Sequence, residues 1–183
     1  MSLVVLLGGA RSGKSTLALE LAAASGGRVT FVATGEALDD EMAARIAAHR
    51  AERPAEWLTV EEPLELDRAL DAVDADATCI VDCLTLWVSN RLLQGDDAAT
   101  IVDEARASAA RAAGRPGLTV AVSNEVGLGI VPETPLGRSY RDVLGVVNRA
   151  WVDAAEWAGL VVAGRILRLE SADELVLSQR GGS

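Results

Sequence analysis

A glycine-rich octapeptide near the N-terminus constrains the fold more than any other feature of the chain. Residues 8–15 have the sequence Gly-Gly-Ala-Arg-Ser-Gly-Lys-Ser, directly after the apolar run Leu3–Leu7. An Ala-rich stretch, Lys14–Ala24, follows with helical character. The P-loop pattern is a glycine, then any four residues, then Gly-Lys-Ser or Gly-Lys-Thr, located between a strand and a helix. This pattern predicts a loop whose backbone N–H groups surround phosphate oxygens at a helix N-terminus.

Two side chains of this loop carry the expected chemistry. In a P-loop the lysine, here Lys14, reaches the β- and γ-phosphates, and the final hydroxyl, here Ser15, is a ligand of Mg²⁺. The alternative is a glycine-rich turn that binds nothing. The complete match between a strand and a helix favours a nucleoside triphosphate as ligand.

Short apolar runs rich in Val and Ile alternate with helical stretches along the chain. The strands are predicted at Leu3–Leu7, Arg28–Ala33, Thr78–Val81, Leu118–Ser123 and Leu160–Ala163. The helices are predicted at Lys14–Ala24, Asp39–Arg53, Pro63–Ala72, Asp97–Ala112 and Pro135–Ala158, with Gly159 ending the last one. Because strands buried on both faces are continuously apolar, the pattern predicts an α/β fold with a mostly parallel sheet and helices on both faces.

Length and charge exclude several classes of protein. The 183 residues favour one catalytic domain over residues 1–170, followed by a C-terminal tail over residues 171–183. Seventeen basic against 27 acidic residues give a net charge of −10, which argues against nucleic acid or an anionic membrane as partner. No apolar run reaches the roughly 20 residues of a membrane helix, and no signal-peptide pattern is present, so a cytoplasmic protein is expected.

Cysteine and histidine are too few for a structural zinc site of the usual kind. The chain has two cysteines, Cys79 and Cys83, and one histidine. No basic residue adjoins Cys83 in the sequence to favour a thiolate. Both cysteines are therefore interpreted as buried thiols.

An aspartate at the end of a predicted strand completes the expected phosphate site. Asp82 follows the apolar residues Cys79–Val81. P-loop enzymes hold Mg²⁺ with a second carboxylate at such a strand end. A turn-forming aspartate is the alternative, but the P-loop favours Asp82 as a Mg²⁺ ligand.

The single histidine lies on a charged stripe of a predicted helix. Glu41, Arg45, His49 and Arg53 repeat every four residues, so they share one helical face. Flanking guanidinium groups disfavour imidazolium, and they should keep His49 neutral, as a nucleophile requires. A histidine on a charged surface helix is the alternative that spacing alone leaves open.

Several motifs together resemble the bifunctional adenosylcobinamide kinase/adenosylcobinamide-phosphate guanylyltransferase family. They occur in order from about Leu3 to Gly164. The matching residues are Gly8–Ser15, Ala33-Thr34-Gly35, Asp40-Glu41-Met42, Arg45-Ile46, His49, Arg53-Pro54 and the stretch from Ser123 to Glu133.

This resemblance implies a cytoplasmic homotrimer of cobalamin (vitamin B12) biosynthesis, with a P-loop NTPase fold related to RecA. ATP or GTP would phosphorylate adenosylcobinamide. GTP would then transfer GMP to a histidine and onward to adenosylcobinamide phosphate, which gives adenosylcobinamide-GDP and pyrophosphate.

The resemblance also assigns site residues. His49 matches the guanylylated histidine, and Lys14 is catalytic beside it. Asp82 matches a strand-end carboxylate that is glutamate in some members, and with Ser15 it would hold Mg²⁺. The implied nucleotide-binding residues are Gly8, Gly9, Ala10, Arg11, Ser12, Gly13, Lys14, Ser15, Ala33, Thr34, Gly35, Arg50, Ala51, Glu52, Arg53, Glu61 and Asp82.

Other functions stay open at this point. A simple P-loop kinase for a small metabolite needs only the P-loop and Asp82, but it leaves the stripe around His49 unexplained. A non-catalytic nucleotide sensor would bind nucleotide without turnover. A regulatory GTPase is disfavoured because no Asn-Lys-x-Asp motif occurs. The loop from Asn124 to Thr134 is expected either at the substrate side or a subunit contact, or as a well-packed irregular loop without such a role. Trp151 and Trp157 are expected in the core or an interface.

Overall fold

The computed structural model describes residues 2–37 and 39–173. In these ranges the strands are β1 (Leu3–Gly8), β2 (Val29–Ala33), β3 (Leu58–Glu61), β4 (Thr78–Asp82), β5 (Thr119–Asn124), β6 (Trp157–Val162) and β7 (Arg165–Arg168). The helices are α1 (Lys14–Ala24), α2 (Asp40–Ala51), α3 (Leu66–Asp71), α4 (Leu84–Gln94), α5 (Ala98–Ala113) and α6 (Pro135–Ala154). Leu38 and most of the predicted tail lie outside the described residues.

The strands form one sheet in the order β3-β2-β4-β5-β1-β6-β7. The pairs from β3 to β6 are parallel, and only β7 runs antiparallel, against β6. This confirms the predicted mostly parallel sheet. Within the described residues, no helix combines the length and the apolar character needed to cross a membrane.

Helices cover both faces of the sheet, as predicted, but unequally. On one face α1 packs against β1, β4 and β5, and its Ala18 and Ala22 belong to one core with Leu6, Ile80 and Val122. On the other face α3, α4, α5 and α6 form the larger core. Trp87 of α4 and Trp151 of α6 are fully buried there. Because α6 packs into this larger core, its apolar side chains are buried from the middle of the helix onward, at Val143, Leu144, Val147 and Trp151.

The carboxyl ends of the parallel strands meet in register at one edge. Ala33, the last residue of β2, is paired with Glu61 on one side and Asp82 on the other. Gly8, the last residue of β1, is paired with Asn124. Ligands of open parallel sheets bind at this edge, so the register brings the predicted site residues to the expected position.

Side-chain caps explain why several helix starts were predictable. The carboxylates of Asp39 and Asp97 accept hydrogen bonds from the backbone N–H groups of Met42 and Thr100. Thr134 caps α6 in the same way, with Pro135 in the first turn. The predicted starts of these helices are confirmed to within one residue.

The predicted end of the last helix is wrong. The helix ends at Ala154 instead of Ala158, and Trp157 and Gly159 belong to β6. Pairing with β1, beginning at Val4 opposite Trp157, overrides the local helix propensity. Gly159 is needed for close packing, because a Cβ there would lie 2.5 Å from Trp157 Cη2. Trp151 is in the core as predicted, whereas the half-buried Trp157 packs on the face of α1.

Three elements were not predicted. The strands β3 and β7 lie at the edges of the sheet, and most of their side chains are exposed, so neither gives an apolar run. The helix α4 follows β4 after one residue, without a turn signal, and contains the weak helix formers Thr85, Ser89 and Asn90. Helix α3 also starts later than predicted, because Glu62 accepts hydrogen bonds from the backbone N–H groups of Leu64 and Glu65.

A buried arginine joins α3 to the start of β4. Arg115 is 9% exposed and donates to the carbonyl oxygens of Leu70, Val73, Asp74 and Ala77 at 3.4, 3.1, 2.9 and 2.9 Å. These carbonyls end α3 and form the turn that follows it. The guanidinium therefore adds a charged donor to the carbonyl oxygens of Leu70 and Asp74, which also accept from backbone N–H groups, and supplies a donor to those of Val73 and Ala77.

Replacing this arginine should destabilise the protein strongly. We expect Arg115→Ala to lower the free energy of unfolding by about 3 kcal/mol, because the buried carbonyl groups lose charged donors. Urea denaturation followed by circular dichroism measures this change. Arg106→Ala, which removes an exposed pair with Asp103, is the control and should change stability by less than about 1 kcal/mol. Equal effects of the two substitutions would contradict this role of Arg115.

Candidate functional site

A cavity of about 350 Å³ opens at the carboxyl edge of the sheet. The P-loop forms one wall, the strand ends form the floor, and α2 forms the opposite wall. Its lining residues are Ala10, Arg11, Ser12, Gly13, Lys14, Ser15, Thr16, Phe31, Ala33, Gly35, Met42, Arg45, Ile46, His49, Arg50, Glu52, Arg53, Glu61, Asp82, Cys83, Thr85, Leu86, Val122 and Asn124. The volume is within the range of small-molecule sites.

The P-loop wall has the backbone that its sequence predicts. Gly13 has φ +101° at the start of α1, a conformation that glycine adopts without strain. Lys14 Nζ donates to Gly9 O at 2.7 Å, so the ammonium lies across the mouth of the loop. Burial lowers the pKa of Lys14, and the charge of Asp82 opposes that shift. From the β6–β7 turn, Gly164 N donates to Ser12 O at 2.9 Å and braces the loop.

The strand-end carboxylate and the P-loop hydroxyl share the floor of the cavity. Ser15 and Asp82 both line it. Burial raises the pKa of Asp82, and the nearby Ser15 hydroxyl together with the charges of Arg53 and Lys14 opposes that shift. A hydroxyl beside a carboxylate fits Mg²⁺, which proteins bind through few side chains together with substrate phosphates. Within the described residues, no cluster of three or more His, Cys, Asp or Glu side chains forms a metal cage.

The second wall is a helix that lies outside the core. No residue of α2 is buried. Arg45, His49 and Arg53 line the cavity, whereas Glu41 of the same predicted stripe does not. His49 Nδ1 lies 3.6 Å from a carboxylate oxygen of Glu52, and the His49 side chain is 41% exposed. The imidazole therefore lies at the cavity wall and opposite the P-loop.

Two further contacts link the end of α2 to the sheet. The guanidinium of Arg53 stacks on the Phe31 ring, with 3.4 Å between its central carbon and the ring centroid. Arg50 forms an ion pair with Glu61 at the end of β3. Burial lowers the pKa of Arg53, and the charge of Asp82 opposes that shift. These contacts hold the chain after His49 against β2 and β3.

Most of the residues assigned by sequence to the nucleotide site lie together in this cavity, but four do not line it. Gly8 is buried at the end of β1, and the Gly9 carbonyl is bound by Lys14. Thr34 is fully buried, because its hydroxyl is paired with the backbone of Cys83. Ala51 is exposed at the end of α2. The roles of the lining residues stay predictions.

Sequence reasoning missed several lining residues. Phe31 had been assigned only to a buried strand, and no local signal shows that its ring faces Arg53. Thr85 and Leu86 lie on α4, which was not predicted. Asn124 was assigned to a loop whose role the sequence left open. Its position at the end of a predicted strand could have placed it at the cavity.

The cysteines contribute no thiolate to the site. Both are free, Cys79 is buried, and Cys83 is half-buried and lines the cavity. Burial raises the pKa of each thiol to about 12. Both groups are therefore neutral at physiological pH, as the sequence indicated.

The loop between β5 and α6 carries exposed apolar side chains. Leu128, Ile130 and Val131 are 84%, 97% and 59% exposed. The loop begins at Asn124 beside the cavity and extends to the cap of α6 at Thr134. This exposure argues against the well-packed loop that the sequence left open, and it fits either the substrate side or a subunit contact.

Relatives of known function match nearly the whole chain. The bifunctional adenosylcobalamin biosynthesis protein CobP of Pseudomonas aeruginosa is 47% identical over 161 residues, which are 87% of this chain and 92% of the relative. The bifunctional adenosylcobalamin biosynthesis protein CobU of Salmonella typhimurium is 41% identical over 175 residues, which are 88% of this chain and 96% of the relative. Both alignments include most of each chain, so they compare whole proteins.

A solved structure with low sequence identity supports the fold. The KaiC-like protein PH0186 of Pyrococcus horikoshii superposes with a TM-score of 0.50 and 14% identity, over 87% of this chain and 70% of that one. This likeness agrees with the predicted P-loop NTPase fold related to RecA.

The family model described as cobinamide kinase / cobinamide phosphate guanyltransferase matches residues 4–169. This match and the two whole-chain relatives confirm the resemblance drawn from the sequence motifs. The chain belongs to the cobinamide kinase / cobinamide phosphate guanyltransferase family.

Proposed function

We propose that this chain phosphorylates adenosylcobinamide with ATP or GTP and then transfers GMP from GTP to adenosylcobinamide phosphate through a GMP-histidine intermediate on His49. The observation that carries the proposal is the shared cavity, which the P-loop, Asp82 and His49 all line. A kinase alone would need only the first two. The histidine on the opposite wall supports the second reaction.

In the kinase step the P-loop holds the triphosphate, and Lys14 binds the transferred phosphoryl group. The Lys14 ammonium is held at the mouth of the loop by Gly9 O, within reach of β- and γ-phosphates that replace this contact. The hydroxyl of the aminopropanol arm of adenosylcobinamide attacks the γ-phosphorus. The hydroxyl proton passes to solvent water, the bond between the β–γ bridging oxygen and the γ-phosphorus breaks, and the nucleoside diphosphate departs.

In the second step His49 attacks the α-phosphorus of GTP. We assign the attack to Nε2, because Nδ1 faces Glu52. The nitrogen lone pair forms the N–P bond while the bond to pyrophosphate breaks, and the proton on Nδ1 stays in place beside Glu52, so the imidazole is neutral again when the N–P bond later breaks. A phosphate oxygen of adenosylcobinamide phosphate then attacks the same phosphorus. The N–P bond breaks, its electron pair returns to the imidazole, and adenosylcobinamide-GDP forms.

Local charge supports binding of a triphosphate by an acidic chain. Five cationic side chains line the cavity, namely Arg11, Lys14, Arg45, Arg50 and Arg53, against three carboxylates. Because the whole chain has a net charge of −10, this excess is confined to the cavity. Arginines beside His49 can stabilise negative charge on the phosphates during transfer.

Ser15 and Asp82 would hold Mg²⁺ together with phosphate oxygens of the nucleotide. When bound, Mg²⁺ neutralises charge on the phosphates and on departing pyrophosphate. Both side chains line the cavity at the foot of the P-loop.

The family resemblance further suggests a homotrimer that acts in the cytoplasm. Exposed apolar side chains of the loop after β5 and of β7, such as Ile130 and Leu167, are compatible with a subunit contact. We propose the corrinoid substrates and the nucleotides as partners, and neither nucleic acid nor membrane.

His49→Ala should abolish guanylyl transfer and leave much of the kinase activity. Without the imidazole no covalent intermediate forms, and we expect the rate of guanylyl transfer to fall at least about 1000-fold. The P-loop and Asp82 are untouched. Incubation with α-³²P-GTP and Mg²⁺, followed by denaturing electrophoresis and acid treatment, measures the label, and phosphorylation of adenosylcobinamide measures the kinase.

The control adds Ala48→His to the His49→Ala variant. This returns an imidazole to the same helix but about 100° around its axis, so the label should stay absent. Retention of both activities in His49→Ala would contradict the proposed intermediate.

Asp82→Asn should weaken the dependence of both reactions on Mg²⁺ concentration. Loss of the carboxylate removes a metal ligand, so we expect the Mg²⁺ concentration for half-maximal activity to rise at least about 10-fold. Asp82→Glu keeps the charge on a side chain longer by one methylene and should cause a smaller rise. Metal titrations of both activities test this, and an unchanged titration of Asp82→Asn would contradict the assignment.

A further inference from the structure

A buried amide on α4 connects two chain segments at the carboxyl edge. Asn90 is 5% exposed, and its Nδ2 donates to Thr34 O at 2.7 Å and to Pro63 O at 3.2 Å. Thr34 directly follows β2, and Pro63 lies shortly after β3. Asn90 does not line the cavity, so its side chain serves the strand ends instead of a ligand.

Thr34 is fixed from the other side by the end of β4. Its hydroxyl donates to Cys83 O at 2.7 Å and accepts from Cys83 N at 2.8 Å. Thr34 N also donates to Asp82 O at 3.2 Å. The residue after β2 is thus bound between the amide of Asn90 and the backbone that follows Asp82.

The next residue, Gly35, lies where α2 contacts the rest of the protein. A Cβ on Gly35 would lie 3.3 Å from Leu86 Cδ1 and 3.5 Å from Ile46 Cδ1, so α2 and α4 meet over it. Ile46 is three residues before His49, one turn away on the same helix. No residue of α2 is buried. The contact between Gly35 and Ile46 therefore does more to fix the position of α2 than one such contact would do for a helix in the core.

We propose that Asn90 is a positioning residue for guanylyl transfer. It fixes Thr34 and Gly35, and thereby the position of the helix that carries His49. The inference rests on the proposed function, because it concerns the position of the proposed nucleophile. A displacement of about 1 Å at a reacting group lowers a rate by roughly 100-fold.

The hydrogen-bond partners of Asn90 indicate which of the two reactions should become slower when Asn90 is replaced. The P-loop lies between β1 and α1, and neither Thr34 nor Pro63 belongs to it. Asp82, whose carbonyl oxygen accepts from Thr34 N, is also held by the pairing of β4 with β2 and β5. Nucleotide binding by the P-loop and the kinase step should therefore change much less than guanylylation when Asn90 is replaced. The ratio of the two activities separates positioning from general instability, because a smaller folded fraction lowers both activities by the same factor.

The experiment compares Asn90→Leu and Asn90→Asp, which keep the approximate size but remove the donor amide. GTP titration counts the nucleotide sites, and the rates of kinase and of His49 guanylylation are expressed per site. We expect guanylylation to fall about 10- to 100-fold and the kinase by a much smaller factor. Asn90→Gln shifts the amide by one methylene, and it provides the same comparison if the other two variants do not fold.

The matched control is Ser108→Ala. Ser108 is 1% exposed and donates to Asp67 Oδ1 at 2.6 Å, remote from the cavity lining. Its loss should lower stability without changing the ratio of the two rates. An equal fall of both rates per site in the Asn90 variants, or no fall in either, would overturn the proposal. Absence of a His49 label in the unmodified protein would instead refute the proposed function.

Discussion

The register of the parallel strands is the constraint on which the site depends. Because β3, β2, β4, β5 and β1 are parallel neighbours, each pairing fixes where the next strand ends. Glu61, Ala33 and Asp82 are consequently side by side, and Gly8 is beside Asn124. A shift of one residue in β4 would turn Asp82 away from Ser15, since successive side chains of a strand point to opposite faces. The two buried cores fix this register, so packing far from the cavity determines its geometry.

The two walls of the cavity are supported in different ways. The P-loop is held by the sheet, by α1 and by the β6–β7 turn. Helix α2 has no buried residue and is attached by few contacts. Ile46 in its middle lies against Gly35, Arg50 near its end pairs with Glu61, and Arg53 just beyond its end stacks on Phe31. A rigid phosphate site therefore faces a lightly attached helix that carries the proposed nucleophile. Small polar anchors such as Asn90 can matter for chemistry in this arrangement although they touch no ligand.

Much of this arrangement was predictable from local patterns. The P-loop octapeptide, the strand-end Asp82 and the four-residue spacing around His49 are written in short stretches, and capping residues marked three helix starts. The rest depends on distant pairing. The end of α6 was predicted wrongly because Trp157 and Gly159 pair with β1 in the sheet. Strand β3 was not predicted because an exposed edge strand has no apolar run. Thr34 was assigned to the nucleotide, but its hydroxyl is taken by Cys83, which is 49 residues away in the sequence. No local pattern could show this contact.

The central claim is that one nucleotide bound by the P-loop reaches the histidine on the opposite wall. The most direct test is a crystal structure with Mg²⁺ and a GTP analogue whose α–β bridge is a methylene group, which prevents transfer. The account predicts β- and γ-phosphates on Lys14 and an α-phosphorus about 3.5 Å from His49 Nε2, in line with the bridging carbon. A triphosphate held by the P-loop, with the His49 ring directed into solvent and its nitrogens remote from every phosphorus, would contradict it.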